Sequence, residues 1–351
     1  MQDLILMNRQ EVSALSLNDL WFLLIAVLFV GFFFLEGFDF GVGMATRFLA
    51  KESLERRVLI NTIGPFWDAN EVWLITAAGA AFAAFPHWYA TMFSGYYMVL
   101  TFILLALIAR AVAFEFRAKV DHPVWRTIWD QAVFIGSLVP PFLFGLMFTS
   151  IIAGMPIDAH MEMNAAFTDV VSGYTLWGGL TITGLCFLHG LTYISLRTED
   201  SLRERARRMA LRLLPIQAIL LIILVIWTAL ATDLFAARWI LSSLVIVLGA
   251  ATTGLAWVAL KHGREAWAFG MTGATMVLTV SSMFIGLFPR VMISSLDAAY
   301  DLTVTNAASS PYTLKAMTIV AVALLPFVLG YQIWSYVVFR KRVSSQDHLE
   351  Y

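Results

Sequence analysis

Charge is what this sequence has least of. Only 13% of its 351 residues are Asp, Glu, Lys or Arg, roughly half the share that a soluble domain carries. A water-exposed globular surface of ordinary composition is therefore excluded. Cysteine is nearly absent: Cys186 stands alone in an apolar stretch, which rules out an intrachain disulfide and a C-x-x-C-H haem attachment. A net charge of −1 leaves no broad basic surface, so nucleic acid is not an expected partner. No Gly-rich phosphate loop follows a strand, and neither G-x-S-x-G nor H-E-x-x-H occurs. The opening residues, MQDLILMNRQEVSALS, lack the basic-then-apolar pattern of a leader, so 1–17 reads as a polar tail rather than a cleaved signal peptide.

What is there is apolar. Hydrophobic residues make up 60% of the chain and mean hydropathy is +0.78. A helix crosses a bilayer with roughly 20 mostly apolar residues. Nine such runs are expected, at about 18–43, 64–86, 88–112, 128–153, 173–196, 212–233, 236–260, 265–288 and 314–340. The expected fold is an all-α polytopic membrane protein with nine transmembrane helices. The second and third runs part only at Pro86, the sixth and seventh only at Thr232-Asp233, and "LVPPFLFG" (138–145) predicts a kink in the fourth because proline removes backbone donors. The longest connections, about 154–172 and 289–313, are too short to form separate domains.

Lys and Arg mark cytoplasmic loops, and here they fall on alternate connections. Arg47, Lys51, Arg56 and Arg57 follow the first run; Arg110, Arg117, Lys119 and Arg126 follow the third. The fifth connection is arginine-rich from Arg197 to Arg212, the seventh holds Lys261 and Arg264, and the end of the chain holds Arg340, Lys341 and Arg342. Only Arg9, Arg238, Arg290 and Lys315 lie on the other side. The N-terminus is thus expected outside and the C-terminus cytoplasmic, which requires an odd number of spans.

Ionisable groups inside spans are costly and usually face a bundle interior or a water-filled cavity. Glu36 and Asp39 lie near the cytoplasmic end of the first run, Asp68 and Glu71 near the cytoplasmic start of the second. Each pair has i,i+3 spacing, which places both carboxyls on one helix face, and antiparallel neighbours bring all four to a similar depth. Two readings stand side by side. Acids at a helix start complement its dipole and can be simple caps. Alternatively, carboxyls sharing a desolvated site favour proton exchange, a proton or cation path for which Arg110 is the natural counter-ion. Arg110 also reads as an ordinary positive-inside arginine.

A haem needs axial His, Met, Cys or Tyr ligands. Of six histidines (87, 122, 160, 189, 262 and 348) only His189 falls within a run, and no haem or metal ligand is expected in this chain. The aromatic residues read mostly as lipid contacts and interface anchors.

Several long segments nevertheless resemble one family: "EGFDFGVGM" (36–44), "ERRVLINTIGPFWDANEVWLITAAGAAFAAFP" (55–86), "FSGYY" (93–97), "ARAVAFEFRAKVDHPVWRTIWD" (109–130) and "GSLVPPFLFG" (136–145). They are similar to subunit II of cytochrome bd-type quinol oxidase. The likeness is strong to about residue 200 and returns in "AWAFG" and "FIGLFPRVM". It implies two four-helix bundles (18–153 and 173–288), a peripheral ninth helix (314–340) and a cytoplasmic tail (341–351). It implies a complex in the cell membrane that oxidises quinol and reduces dioxygen to water, with haem b558, haem b595 and haem d in a partner subunit I. By the same resemblance Asp68 and Asp39, with Glu36 and Glu71, line a cytoplasmic proton path. Trp67, Asn70 and Arg110 line a polar cavity where some members hold a structural quinone. Whether a small third subunit joins the complex stays open. Against these stand a proton- or cation-coupled transporter and a purely structural subunit.

Overall fold

The computed structural model describes residues 16–236, 238–344, 346 and 349; most of the polar tail expected at 1–17, and most of the tail beyond 344, lie outside the described residues. The chain is overwhelmingly helical. In order, the helices are α1 Leu17–Phe48, α2 Ser53–Ile63, α3 Trp67–Ala84, α4 Pro86–Gly95, α5 Tyr97–Phe116 and α6 Pro123–Ala153. There follow α7 Phe167–Val170, α8 Gly173–Arg197, α9 Asp200–Ala231, α10 Trp239–Lys261, α11 Glu265–Leu287 and α12 Pro311–Val338.

Among the described residues eight helices are long and apolar enough to cross a membrane: α1, α5, α6, α8, α9, α10, α11 and α12. The expected second span corresponds to α3, only 18 residues long and polar at its start through Asp68, Asn70 and Glu71. The expected third span is two helices, α4 and α5, parted at Tyr96. The Tyr96 side chain is buried, with its hydroxyl 2.7 Å from Ser150 Oγ. The expected sixth span begins a full twelve residues early, at Asp200. Its first turns, DSLRERARRMAL, are rich in Leu, Arg, Glu and Ala, which favour helix but leave no apolar signal. The connection read as a basic loop is thus the polar end of α9. Helix α6 continues through Pro140 and Pro141 without interruption.

Helix α1 is the axis of the molecule. It packs against α3, α6, α8 and α11, and more lightly against α12. Every residue from Glu36 to Thr46 is buried, so this half of the helix has neighbours on all sides. Its approach to α8 needs glycine at both partners. A Cβ on Gly41 would lie 2.6 Å from Gly190 Cα, and one on Gly190 would lie 2.4 Å from Gly41 Cα. Small residues permit such backbone contact between membrane helices. Phe32 and Phe33 from α1 meet Phe144 of α6 edge-on at 5.5 and 5.9 Å, a favoured aromatic geometry.

The two long connections interlock at the arginine-poor end. Arg290–Met292 pairs antiparallel with Leu302–Thr303 as a short ribbon, β1 and β2. Met155 N donates to Ile293 O at 2.9 Å, and Ser295 N to Met155 O at 2.9 Å. Two-residue pairings leave no periodic signal, so the all-helical reading of the sequence did not contain them. At the opposite, arginine-rich end, ion pairs tie helix ends together: Arg117 to Asp130 at 2.6 Å, Arg205 to Glu55 at 2.5 Å and Arg203 to Glu265 at 2.7 Å.

Candidate functional site

Polar side chains from five helices converge where α1 is buried on all sides. Glu36 and Asp39 stand one turn apart on α1, Asn70 and Glu71 are consecutive on α3, and Arg110 comes from α5. The Arg110 side chain is wholly buried. Its Nη2 donates to Glu36 Oε1 and, at 2.5 Å, to Glu71 Oε1. Its guanidinium carbon also lies 4.6 Å from the centre of the Phe40 ring, a cation–π arrangement. Gly136 of α6 makes room for this side chain: a Cβ there would lie 2.6 Å from Arg110 Cβ.

Asp39 is held separately. Asn70 Nδ2 donates to Asp39 Oδ2 at 2.7 Å, and Asn70 Oδ1 accepts from the Tyr336 hydroxyl at 2.8 Å. Gln332, one turn before Tyr336 on α12, lies 3.4 Å from the same oxygen and accepts from Trp73 Nε1 at 2.9 Å. Asn70 is therefore a two-sided connector between the buried acid and the outer helix. Five polar atoms of the neighbourhood have no partner within the chain: Glu36 Oε2, Asp39 Oδ1, Arg110 Nε, Arg110 Nη1 and Ser137 Oγ. Buried polar groups are almost always satisfied, and water fits such atoms. Two carboxyls thus share the Arg110 guanidinium, and the third, Asp39, is held by an amide.

The seven residues singled out in the sequence divide. Glu36, Asp39, Asn70, Glu71 and Arg110 come together. Asp68 does not: it is exposed on the first turn of α3, where its Oδ1 accepts from Ala69 N at 2.7 Å. Trp67 packs its ring on Phe114, with centroids 5.2 Å apart. Sequence reasoning missed Tyr336, Gln332, Trp73 and Ser137. One signal could have found the second: Gln332 is the only amide side chain in α12.

His189 is fully buried between neighbours: Nδ1 is 2.9 Å from Thr272 Oγ1, Nε2 is 3.2 Å from Phe34 O, and the ring stacks on Phe269 at 4.6 Å. A carbonyl only accepts, so Nε2 carries the proton. Both nitrogens are committed, and the residue does not fit an axial haem ligand. No group of three or more His, Cys, Asp or Glu side chains suited to a metal occurs among the described residues. Among the described residues, two large cavities of about 670 and 710 Å³ are not lined by Trp67, Asn70 or Arg110. With Arg110 packed between carboxylates and Phe40, these three do not fit a quinone cradle.

Fold and site together define a class: a polytopic helical membrane protein with a desolvated ionic cluster near one end. The comparisons make this specific. The family model for cytochrome bd terminal oxidase subunit II matches residues 17–339, and the chain belongs to that family. It is 58% identical over 336 residues to cytochrome bd ubiquinol oxidase subunit 2 of Bacillus subtilis (strain 168), covering 96% of this chain and 99% of that protein. It is 34% identical over 368 residues to cytochrome bd-I ubiquinol oxidase subunit 2 of Escherichia coli (strain K12), covering 94% and 96%. A chain of the bd oxidase from Geobacillus thermodenitrificans shares the fold with a TM-score of 0.76, at 14% identity over 92% of this chain and 98% of that one. This is thus a multi-pass membrane subunit of a quinol oxidase complex, and the transporter reading falls with that membership.

Proposed function

We propose that this chain has two tasks in the oxidase: it stabilises a haem-bearing subunit I, and it carries protons from the cytoplasm towards that partner. Reduction of dioxygen to water consumes one proton for every electron, so a protein buried in lipid needs a route for protons to the reaction. The observation that carries the reading is the burial of Glu36, Asp39 and Glu71 around Arg110, with unpartnered oxygens left on Glu36 and Asp39. Intramembrane carboxyls of this kind are typical of proton relays. In the proposed path Asp68 is the exposed entry group, and the Glu71–Glu36 and Asn70–Asp39 contacts form the inner relay.

The topology belongs to the same proposal. Helix α3 acts as a ninth span despite its polar start, the N-terminus lies outside and the C-terminus in the cytoplasm. Residues 18–153 and 173–288 form two four-helix bundles, with α12 peripheral. The alternation of arginine-rich connections supports this orientation. Haems b558, b595 and d belong to subunit I in this reading, lipid surrounds the exposed faces, and a small third subunit is an open addition.

A structural reading has its own support, since Arg110 bridging Glu36 and Glu71 is also a rigid clamp between three helices. Oxygen consumption by the purified complex separates the two. With quinol in excess, Asp68→Asn and Asp39→Asn should slow turnover while the haem spectrum stays at full intensity. Full turnover in both variants would reject the proton path, and loss of haem would favour the clamp.

A further inference from the structure

Beside the ionic cluster, and sharing Trp73, Gln332 and Tyr336 with its outer edge, lies a cavity of about 710 Å³ between α12 and the body of the protein. Its inner wall is Phe34, Leu35 and Phe38 of α1 with Phe269 of α11; its outer wall is Leu329, Ile333 and Val337 of α12. At the arginine-rich end the lining changes character to Arg197, Arg340 and Arg342, and among the described residues no Asp or Glu lines the cavity. An apolar slot capped by three cations has the polarity of an amphiphile with an anionic head.

The arginines are placed rather than scattered. Arg197 is 93% buried (7% exposed). Its Nη2 donates to Phe339 O, and its Nε has no partner within the chain. Arg342 Nε reaches Leu196 O at 3.3 Å, and Val343 N donates to Arg197 O at 2.8 Å. These bonds sew the end of α12 to the end of α8 and set Arg197 and Arg342 at one mouth, which Arg340 also lines. Among the described residues none of the three forms an ion pair. Arg197 is the buried one of the three, Arg340 and Arg342 being exposed; a buried cation without a counter-charge is strongly unfavourable, and guanidinium groups match phosphate oxygens in geometry as well as charge.

We propose that this slot is a binding site for an anionic phospholipid, its single phosphodiester held by Arg197, Arg340 and Arg342 and an acyl chain lying between α12 and α1. The lipid completes the packing of α12, whose contacts with the body gather near its two ends: Tyr336 and Gln332 with Asn70 and Trp73, Tyr336 stacked on Phe66, and Leu314 and Thr318 with Trp21. The apolar walls alone would accept any acyl chain, so selectivity resides in the three cations. The proposal stands on this lining and is independent of the proton path.

The test uses the whole oxidase complex, delipidated in detergent and then titrated with phosphatidylglycerol or phosphatidylcholine, with bound lipid read by native mass spectrometry. Wild type should retain one phosphatidylglycerol per copy of this chain in preference to phosphatidylcholine. The double variant R340Q/R342Q keeps the apolar slot and the buried Arg197. It should lose roughly 30-fold in phosphatidylglycerol affinity, since each basic residue near a phosphate contributes about a fivefold factor, with the haem spectrum unchanged. Ile333→Trp, which fills the slot, should abolish retention of both lipids. Equal retention of the two lipids by wild type would overturn the proposal. So would undiminished phosphatidylglycerol binding by R340Q/R342Q, or a quinone in place of the lipid; should Ile333→Trp fail to assemble, the arginine variant decides alone.

Discussion

Removing the Arg110 charge is the sharpest test of how the buried cluster is held. Arg110→Met keeps the length and apolar stem of the side chain but leaves Glu36 wholly buried and Glu71 four-fifths buried without their cation. Deleting one partner of a buried ion pair costs about 3–5 kcal/mol, and the lost cation–π contact with Phe40 adds roughly 1 kcal/mol. Glu36→Gln should cost less, about 1–2 kcal/mol, because Arg110 keeps Glu71 and an amide oxygen still accepts. The double variant Arg110→Met/Glu36→Gln should then be less unstable than the sum of the two, by about 2–3 kcal/mol, the coupling expected of side chains in direct contact. Thermal melting of the purified complex, followed by loss of intact complex on size exclusion, reads the series. A coupling below about 0.5 kcal/mol, or an Arg110→Met variant as stable as wild type, would refute the assignment of Arg110 as the cluster's cation.

Two further outcomes follow from other parts of the fold. Gly190→Ala places a methyl 2.4 Å from the Gly41 backbone; overpacking of this kind costs about 1–3 kcal/mol even where side chains can yield. Backbone cannot yield, so the yield of assembled complex should collapse, and normal assembly would show that α1 and α8 do not cross at these glycines. Arg290 donates to both carboxylate oxygens of Asp233 at 2.8 Å and so holds the Asp233 carboxyl below its usual range. A lowered folded-state value means the pair stabilises above the ordinary aspartate value near 4 and that this is lost as pH falls through the folded value. With Asp233 60% exposed the effect is at most about 1 kcal/mol. Melting of Asp233→Asn should differ slightly from wild type at pH 7 and converge with it in acid; a difference that grows on acidification would contradict the pairing.

The membrane class and nearly all the span positions were legible in the sequence, because a run of apolar residues long enough to cross lipid is a local property that needs no tertiary partner. Polar helix ends carry no such signal, which is why α9 reaches back to Asp200 unannounced and why α3, with three polar residues in its first turns, sits apart from the eight apolar helices. Spacing and family-like motifs likewise point to Asp68, Asp39, Glu36, Glu71 and Arg110 as one group.

What only the tertiary structure decided is which of those groups meet. Residues three apart on a helix share a face but differ by about 60° and ~4.5 Å along the axis. That offset is enough to leave Asp68 exposed on the first turn of α3 while Glu71 reaches Arg110. Tyr336, 266 positions from Asn70 in the chain, could join the site only through the docking of α12. Burial follows the same logic: Glu36 and Asp39 are costly because α1 is enclosed on every side. Enclosure is a property of the packed helices, which no single stretch of sequence contains.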